Sequence, residues 1–173
     1  MPITEFATLV LNSVPDPTLS PLFQKLGKWQ AECFGFPLLF FTNPNAPSSI
    51  YLITGWECEA AHMAWIAGDE NQELLRIFGP FVDMPELSMV HLDIDFSVIP
   101  VSAERVVVER YGGEISGREG KAKADGDDEN WSAVGRDLTP DSREVYRLAS
   151  KAGPLGEHRH GLIEALKLKR IYF

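Results

Sequence analysis

Four apolar segments of strand length and two stretches of helical period fill the first hundred residues in the order strand, helix, strand, strand, helix, strand. That order is the strongest constraint on what the chain can become. Ile3 to Leu11 (ITEFATLVL) is rich in β-branched and apolar residues and predicts a strand, which Asn12, Ser13, Pro15 and Pro17 break. From about Thr18 to Cys33, Leu19, Leu22, Phe23, Leu26, Trp29 and Cys33 recur at spacings of three and four, which predicts an amphipathic helix that Gly35 stops. Phe36 to Thr42 (FPLLFFT) is continuously apolar, so it predicts a strand covered on both faces. Ser49 to Trp56 predicts a third strand. A helical stretch, Glu59 to Phe78, is divided by Gly68, with Asp69 able to cap its second part and Gln72 as capping-box partner. Leu87 to Val98 alternates cleanly, with Val90, Leu92, Ile94 and Phe96 on one face and His91, Asp93, Asp95 and Ser97 on the other.

A β-α-β-β-α-β succession builds one antiparallel sheet with both helices on one face, the ferredoxin-like unit. Its other face is apolar and must be covered. The rest of the chain offers a cover. Arg105 to Tyr111 predicts a strand, and Asn130 to Asp137 resembles Ser49 to Glu57, with Gly135 in the place of Gly55. Thr139-Pro140-Asp141 predicts a helix start, followed by the apolar Val145, Tyr146 and Leu148. Leu162 to Tyr172 alternates like the strand around His91, with Lys167 and Lys169 where Asp93 and Asp95 stood. The expectation is an α+β fold of tandem ferredoxin-like repeats, residues 1–100 and an abbreviated copy at 101–173, with a flexible loop near 112–129.

Of the 173 residues, 45% are apolar and 24% charged, which is ordinary for a chain with a real core. The net charge of −9 disfavours nucleic acid as a partner, because an acidic surface repels phosphates. The N-terminus lacks a basic segment before an apolar run, and no stretch approaches the ~18 apolar residues of a membrane helix. Two cysteines, Cys33 and Cys58, make no disulfide framework. Together these predict a cytoplasmic protein with buried free thiols and no membrane contact. The shortened second copy leaves surface exposed, which predicts a homodimer.

The stretch YLITGWECEAAHMAWIAGDENQELL, followed by MVHLDID, resembles the fungal branch of the antibiotic biosynthesis monooxygenase-like proteins of the dimeric α/β-barrel superfamily. The pattern is a strand ending in Gly-Trp-Glu, a helix carrying His and Trp-Ile, then Glu-Asn-Gln and a His-Leu-Asp strand. It spans residues 1–100 well and 101–173 weakly. The resemblance implies a barrel with a ligand cavity between sheet and helices or inside the barrel. It also implies a small, flat, apolar substrate of aromatic or polyketide type, handled by a base in a dry pocket. The superfamily hosts monooxygenases, cyclases, isomerases and decarboxylases, so the reaction stays open.

Among individual residues, His62 and Trp65 share a helix face three positions apart. They are either a base with an aromatic wall or a surface histidine with a core anchor. His91, Asp93 and Asp95 either line a barrel with their polar face or meet Lys167, Lys169 and Arg170 across the two halves. His-x-Asp-x-Asp on a strand is no specific metal signature, so no metal is expected. Glu5 interrupts an apolar strand, which places it at an edge or in a pocket that raises its pKa. Tyr51 and Trp56 are core or cavity wall, and Glu157-His158-Arg159-His160 fits a solvated loop. The expected catalytic residues are His62, His91 and Glu5, and the expected substrate-binding ones are Trp65, Trp56, Tyr51 and Asp93. No phosphate-cradling glycine loop, dinucleotide fingerprint or nucleophile elbow is present, so no cofactor is expected. The function implied is a cofactor-independent monooxygenase. The alternatives are a non-oxidative cyclase, isomerase or decarboxylase, or a non-catalytic small-molecule-binding or structural barrel protein.

Overall fold

The computed structural model describes residues 2–112, 123–124, 130–153 and 161–173. The first hundred form β1 (Ile3–Val10), α1 (Ser20–Phe34), β2 (Leu39–Asn43), β3 (Ala46–Trp56), α2 (Glu59–Ala67), α3 (Asp69–Phe78) and β4 (Ser88–Leu92). These four strands lie side by side in the order β4-β1-β3-β2, antiparallel throughout, as a β-α-β-β-α-β chain dictates. α1 ends at Gly35, whose φ of 75° a side chain would resist. Gly68, not Asp69, occupies the cap position of α3. Gln72, the expected capping partner, instead donates to the Ile66 carbonyl at 2.8 Å.

The remainder adds β5 (Arg105–Gly112), β6 (Lys123–Ala124), β7 (Trp131–Arg136), β8 (Glu144–Ala149) and β9 (Leu162–Ile171). Strand β9 pairs with β2, so the sheet runs on as β4-β1-β3-β2-β9-β5-β8-β7-β6. The helix expected from Thr139 is overturned. Thr139 to Ser142 make a turn with Asp141 at φ 64°, and Glu144 to Ala149 are β8, held by β5 on one side and β7 on the other. Val145, Tyr146, Leu148 and Ala149 are all buried. Apolar residues at i, i+1, i+3 and i+4 suit one helix face and a strand buried on both faces equally well, and tertiary pairing decides. Among the described residues the second half is therefore strands alone, and the helices flank only the first half. Most of the expected loop, residues 113–122 and 125–129, and the histidines His158 and His160 lie outside the described residues.

The sheet closes on itself. Leu92 bridges to Asp137 just beyond β7, with the Asp93 N–H donating to the Arg136 carbonyl at 2.9 Å and the Leu138 N–H to the His91 carbonyl at 2.8 Å. This seam needs Gly135: a Cβ there would stand 2.5 Å from the Asp93 carbonyl oxygen. Gly55 on β3 is pressed in the same way against the rings of Phe36 and Phe96.

Closure makes two cores. One fills the interior, where Phe6, Tyr51, Ile53, Leu92 and Phe96 from the first half meet Val106, Val108, Tyr146, Leu148 and Leu168 from the second. The uncovered sheet face is thus covered from within the same chain. The other core lies between the sheet and the helices, where Phe23 packs against Phe40, Phe78 and Phe173. No helix among the described residues is long and apolar enough to cross a membrane. Cys33 and Cys58 are free but exposed, not buried as expected, since both fall at helix ends.

Candidate active site

On β1, alternation sends Phe6 into the barrel interior and Glu5 to the helix side. Glu5 is not at an edge. His91 on β4 stands opposite it on one side and Thr54 on β3 on the other, all on one face. The helix α2 lies above, and its two buried residues are His62 and Trp65. The residues brought together are therefore Glu5, His62, His91, Trp56 and Trp65.

The contacts are close. His62 Nδ1 lies 2.7 Å from His91 Nε2, a hydrogen bond in which one ring donates and the other accepts. The same Nδ1 is 3.4 Å from Glu5 Oε2. Trp56 donates its indole N–H to Glu5 Oε2 at 2.5 Å, and its ring stacks on the His62 imidazole. All three titratable groups are buried. Burial raises Glu5 from 4.5 to about 7, against the opposing pull of the Trp56 hydrogen bond, which favours the carboxylate. Burial lowers His62 to about 3, helped by the neighbouring His91. His91 is lowered too, chiefly by burial, while Glu59 and Asp137 act in the other sense. At neutral pH both imidazoles are uncharged and Glu5 is poised between its two forms.

Donor atoms of Glu5, His62 and His91 all lie within 4.8 Å of one another, near enough to invite comparison with a metal centre. Two nitrogens on one tetrahedral zinc sit about 3.3 Å apart. The imidazoles here are closer than that and joined by a hydrogen bond, so the arrangement fits a proton network.

Glu5 and His62 form the polar end of a cavity of about 290 Å³ between the sheet and the helices, and His91 meets it through His62. Its walls are Trp56, Trp65, Leu26, Leu52, Leu74 and Phe78, with Gln30 and Asn71 as further polar groups. A space of this size and lining suits a small apolar molecule with one polar edge. Gln30 was not singled out in the sequence. It donates to Thr54 Oγ1 at 2.9 Å, and Thr54 in turn donates to the Pro37 carbonyl. The available signal was its spacing, four after Leu26 and seven after Phe23, which puts an amide on the apolar stripe of α1.

Two expected binding residues fall elsewhere. Tyr51 points into the barrel interior, one residue out of phase with Leu52 of the cavity wall. Asp93 is exposed, because β4 ends at Leu92 and the chain bends into the seam. Asp95 accepts a hydrogen bond from the Ser97 N–H and caps a short 3-10 turn. His91 therefore parts from both aspartates and faces the helices, whereas Leu92, Ile94 and Phe96 keep their expected place in the interior core. Among the described residues no ion pair joins Asp93 or Asp95 to Lys167, Lys169 or Arg170.

No family model matches the chain, and no curated protein sequence does. Solved structures do. A monooxygenase candidate from Lactobacillus acidophilus superposes with a TM-score of 0.62 at 10% identity, over 98% of this chain and 93% of that one. A second, from Fusobacterium nucleatum, gives 0.66 at 7% identity, over 98% and 92%. An anthrone oxidase-like protein gives 0.53 at 9% identity, over 98% and 92%. Identity this low speaks to the backbone and leaves the chemistry to the residues. The chain is similar to these proteins in fold, a mixed α+β arrangement.

Proposed function

We propose that the protein is a monooxygenase-like enzyme that works without a resident cofactor on a small, flat, apolar molecule with an acidic C–H or O–H. The observation that carries this is the buried pair Glu5 and His62, 3.4 Å apart at the polar end of an apolar cavity, with His91 hydrogen-bonded to His62 and Trp56 to Glu5. Glu5 is the base. A carboxyl poised near neutrality is matched to proton abstraction at working pH, whereas an imidazole held near 3 is a weak acceptor. His62 and His91 pack beside the carboxyl and position it, and Trp56 fixes its orientation. Trp56 and Trp65 wall the space in which an aromatic substrate would lie.

The reaction balances without an added reductant. An activated methylene gives up one proton to Glu5, and its carbanion passes electrons to O₂. Carbon keeps one oxygen atom as a ketone, and the other oxygen leaves with both hydrogens as water. The monooxygenase and anthrone-oxidase names of the structural neighbours support this reading through shared fold alone.

The test is oxygen uptake by the purified protein with anthrone as substrate. One O₂ consumed per quinone formed, and a loss of about 100-fold in Glu5→Gln, is the expected result. Turnover of an enolisable substrate without oxygen uptake would replace the proposal with a non-oxidative isomerase or cyclase using the same base.

A further inference from the structure

We infer that the open end of the barrel is a second binding site, built for an amphipathic organic cation: an ammonium group carried on an aromatic body. The space is about 410 Å³ and lies on the other face of β1 from the Glu5 cavity, the two sharing Met89 alone among their lining residues. Phe6, Thr8 and Val10 of β1 line it, and the alternate residues Glu5, Ala7 and Leu9 line the other cavity, so the strand itself is the partition.

Its floor is aromatic. Phe6 and Tyr51 lie nearly parallel with centroids 6.2 Å apart, and Tyr146 is tilted against Phe6 at 6.4 Å. Its rim is acidic. Among the described residues, Glu86, Glu144 and Glu164 line it together with one cation, Arg110. That guanidinium is ion-paired to two of these carboxylates, with Nη1 3.2 Å from Glu144 and Nε, which makes no hydrogen bond among the described residues, 3.5 Å from Glu164. Glu86 makes no ion pair with a described residue. An arriving anion would find the arginine neutralised and carboxylates around it. An arriving ammonium would find carboxylate acceptors at the rim and ring faces below, both of which attract it. The field has a second witness in Tyr146. Burial first, and then the charge of Glu144, hold its phenol protonated well above its ordinary range, and its hydroxyl donates to Glu144 Oε2 at 3.1 Å.

The experiment is calorimetric titration of the full chain with three probes of one shape: 2-naphthylmethylammonium, 2-naphthylmethanol and 2-naphthoate. The ammonium should bind at least about tenfold more tightly than the alcohol, weaken with added salt, and outcompete naphthoate altogether. Glu86→Gln, an exposed change that leaves the fold alone, should cut the ammonium affinity about threefold, and Glu144→Gln by more. Saturating the Glu5 cavity with anthrone should leave the ammonium affinity unchanged. Equal binding of the three probes, an unchanged affinity in both Glu variants, or displacement of the ammonium by anthrone would each overturn the site. Because the readout is binding at the barrel mouth, it stands or falls independently of oxygen uptake.

Discussion

The indole of Trp56 lies flat on the imidazole of His62, centroids 4.2 Å apart and planes 15° from parallel, while its N–H reaches past that ring to Glu5. One side chain therefore does two separable things: it walls the histidine and it stabilises the carboxylate. Trp56→Phe keeps the stack and removes the donor. Without that hydrogen bond the carboxylate is less favoured, so the pKa of Glu5 rises further. The ascending limb of the pH–rate profile should move to higher pH. The variant should lose up to about tenfold near pH 6 and approach the parent rate at alkaline pH. A uniform loss at every pH would mean that the indole acts only as packing.

Glu5→Gln should separate catalysis from stability. Folding raises the carboxyl from 4.5 to about 7, so between those values the folded chain binds a proton that the unfolded chain releases. The stability this group gives is fully present below 4.5 and is lost as pH rises through 7. Glutamine has no such loss. The variant should therefore gain on the parent by about 3 kcal/mol between about pH 4 and pH 8, while activity falls. His62 and His91 act in the opposite sense, since burial lowers both and their contribution disappears as pH falls below 6.5. They are present in both proteins, so the difference between two denaturant titration series isolates Glu5.

The first half of this architecture was readable because its segments differ plainly: strands are short and continuously apolar or alternate by two, and helices repeat between three and four. Glu5 stood out for the same reason, as one carboxylate in an apolar strand, and the pairing register then sets it beside His91. Asp93 and Asp95 misled because the apolar alternation of Leu92, Ile94 and Phe96 continues past the strand's end. The interior core demands those three whether or not the backbone stays extended. At β8 the pattern was ambiguous in itself, and the strong turn Thr139-Pro140-Asp141 looks like a helix start until β5 and β7 pair with Glu144 to Ala149. The seam between Leu92 and Asp137 joins residues far apart in sequence and leaves no local signal beyond Gly135.

Gly135 should be the most sensitive glycine of the seam. An added methyl would meet the Asp93 carbonyl at 2.5 Å and the Ile94 side chain at the same distance, and a backbone carbonyl cannot rotate aside. Gly135→Ala should cost about 1–3 kcal/mol of overpacking. The displacement should also reach the active site, because the same seam fixes the His91 carbonyl through the Leu138 N–H. Amide hydrogen exchange at Asp93 and Leu138 should accelerate in the variant, with protection in α1 unchanged. Unaltered exchange at both amides would show that the barrel tolerates an open seam.

Arg147 tests the far side of the barrel. Its Nη1 donates to Glu109 Oε2 at 2.8 Å, and Glu109 also accepts from the Tyr111 hydroxyl at 3.1 Å and the Gly153 N–H at 3.4 Å. Both members of the pair are largely buried. Removing one partner leaves the other charge without compensation, which costs more than the pair contributes when intact. Arg147→Met should destabilise the fold by about 3 kcal/mol at neutral pH. The double variant Arg147→Met/Glu109→Gln should recover most of that, because no unpaired charge is left inside. Since this pair lies in the second half, away from Glu5, oxygen uptake per folded molecule should be unchanged in both. A double variant no more stable than the single one would mean that Arg147 acts by packing and by its bond to the Lys151 carbonyl, with little part played by charge.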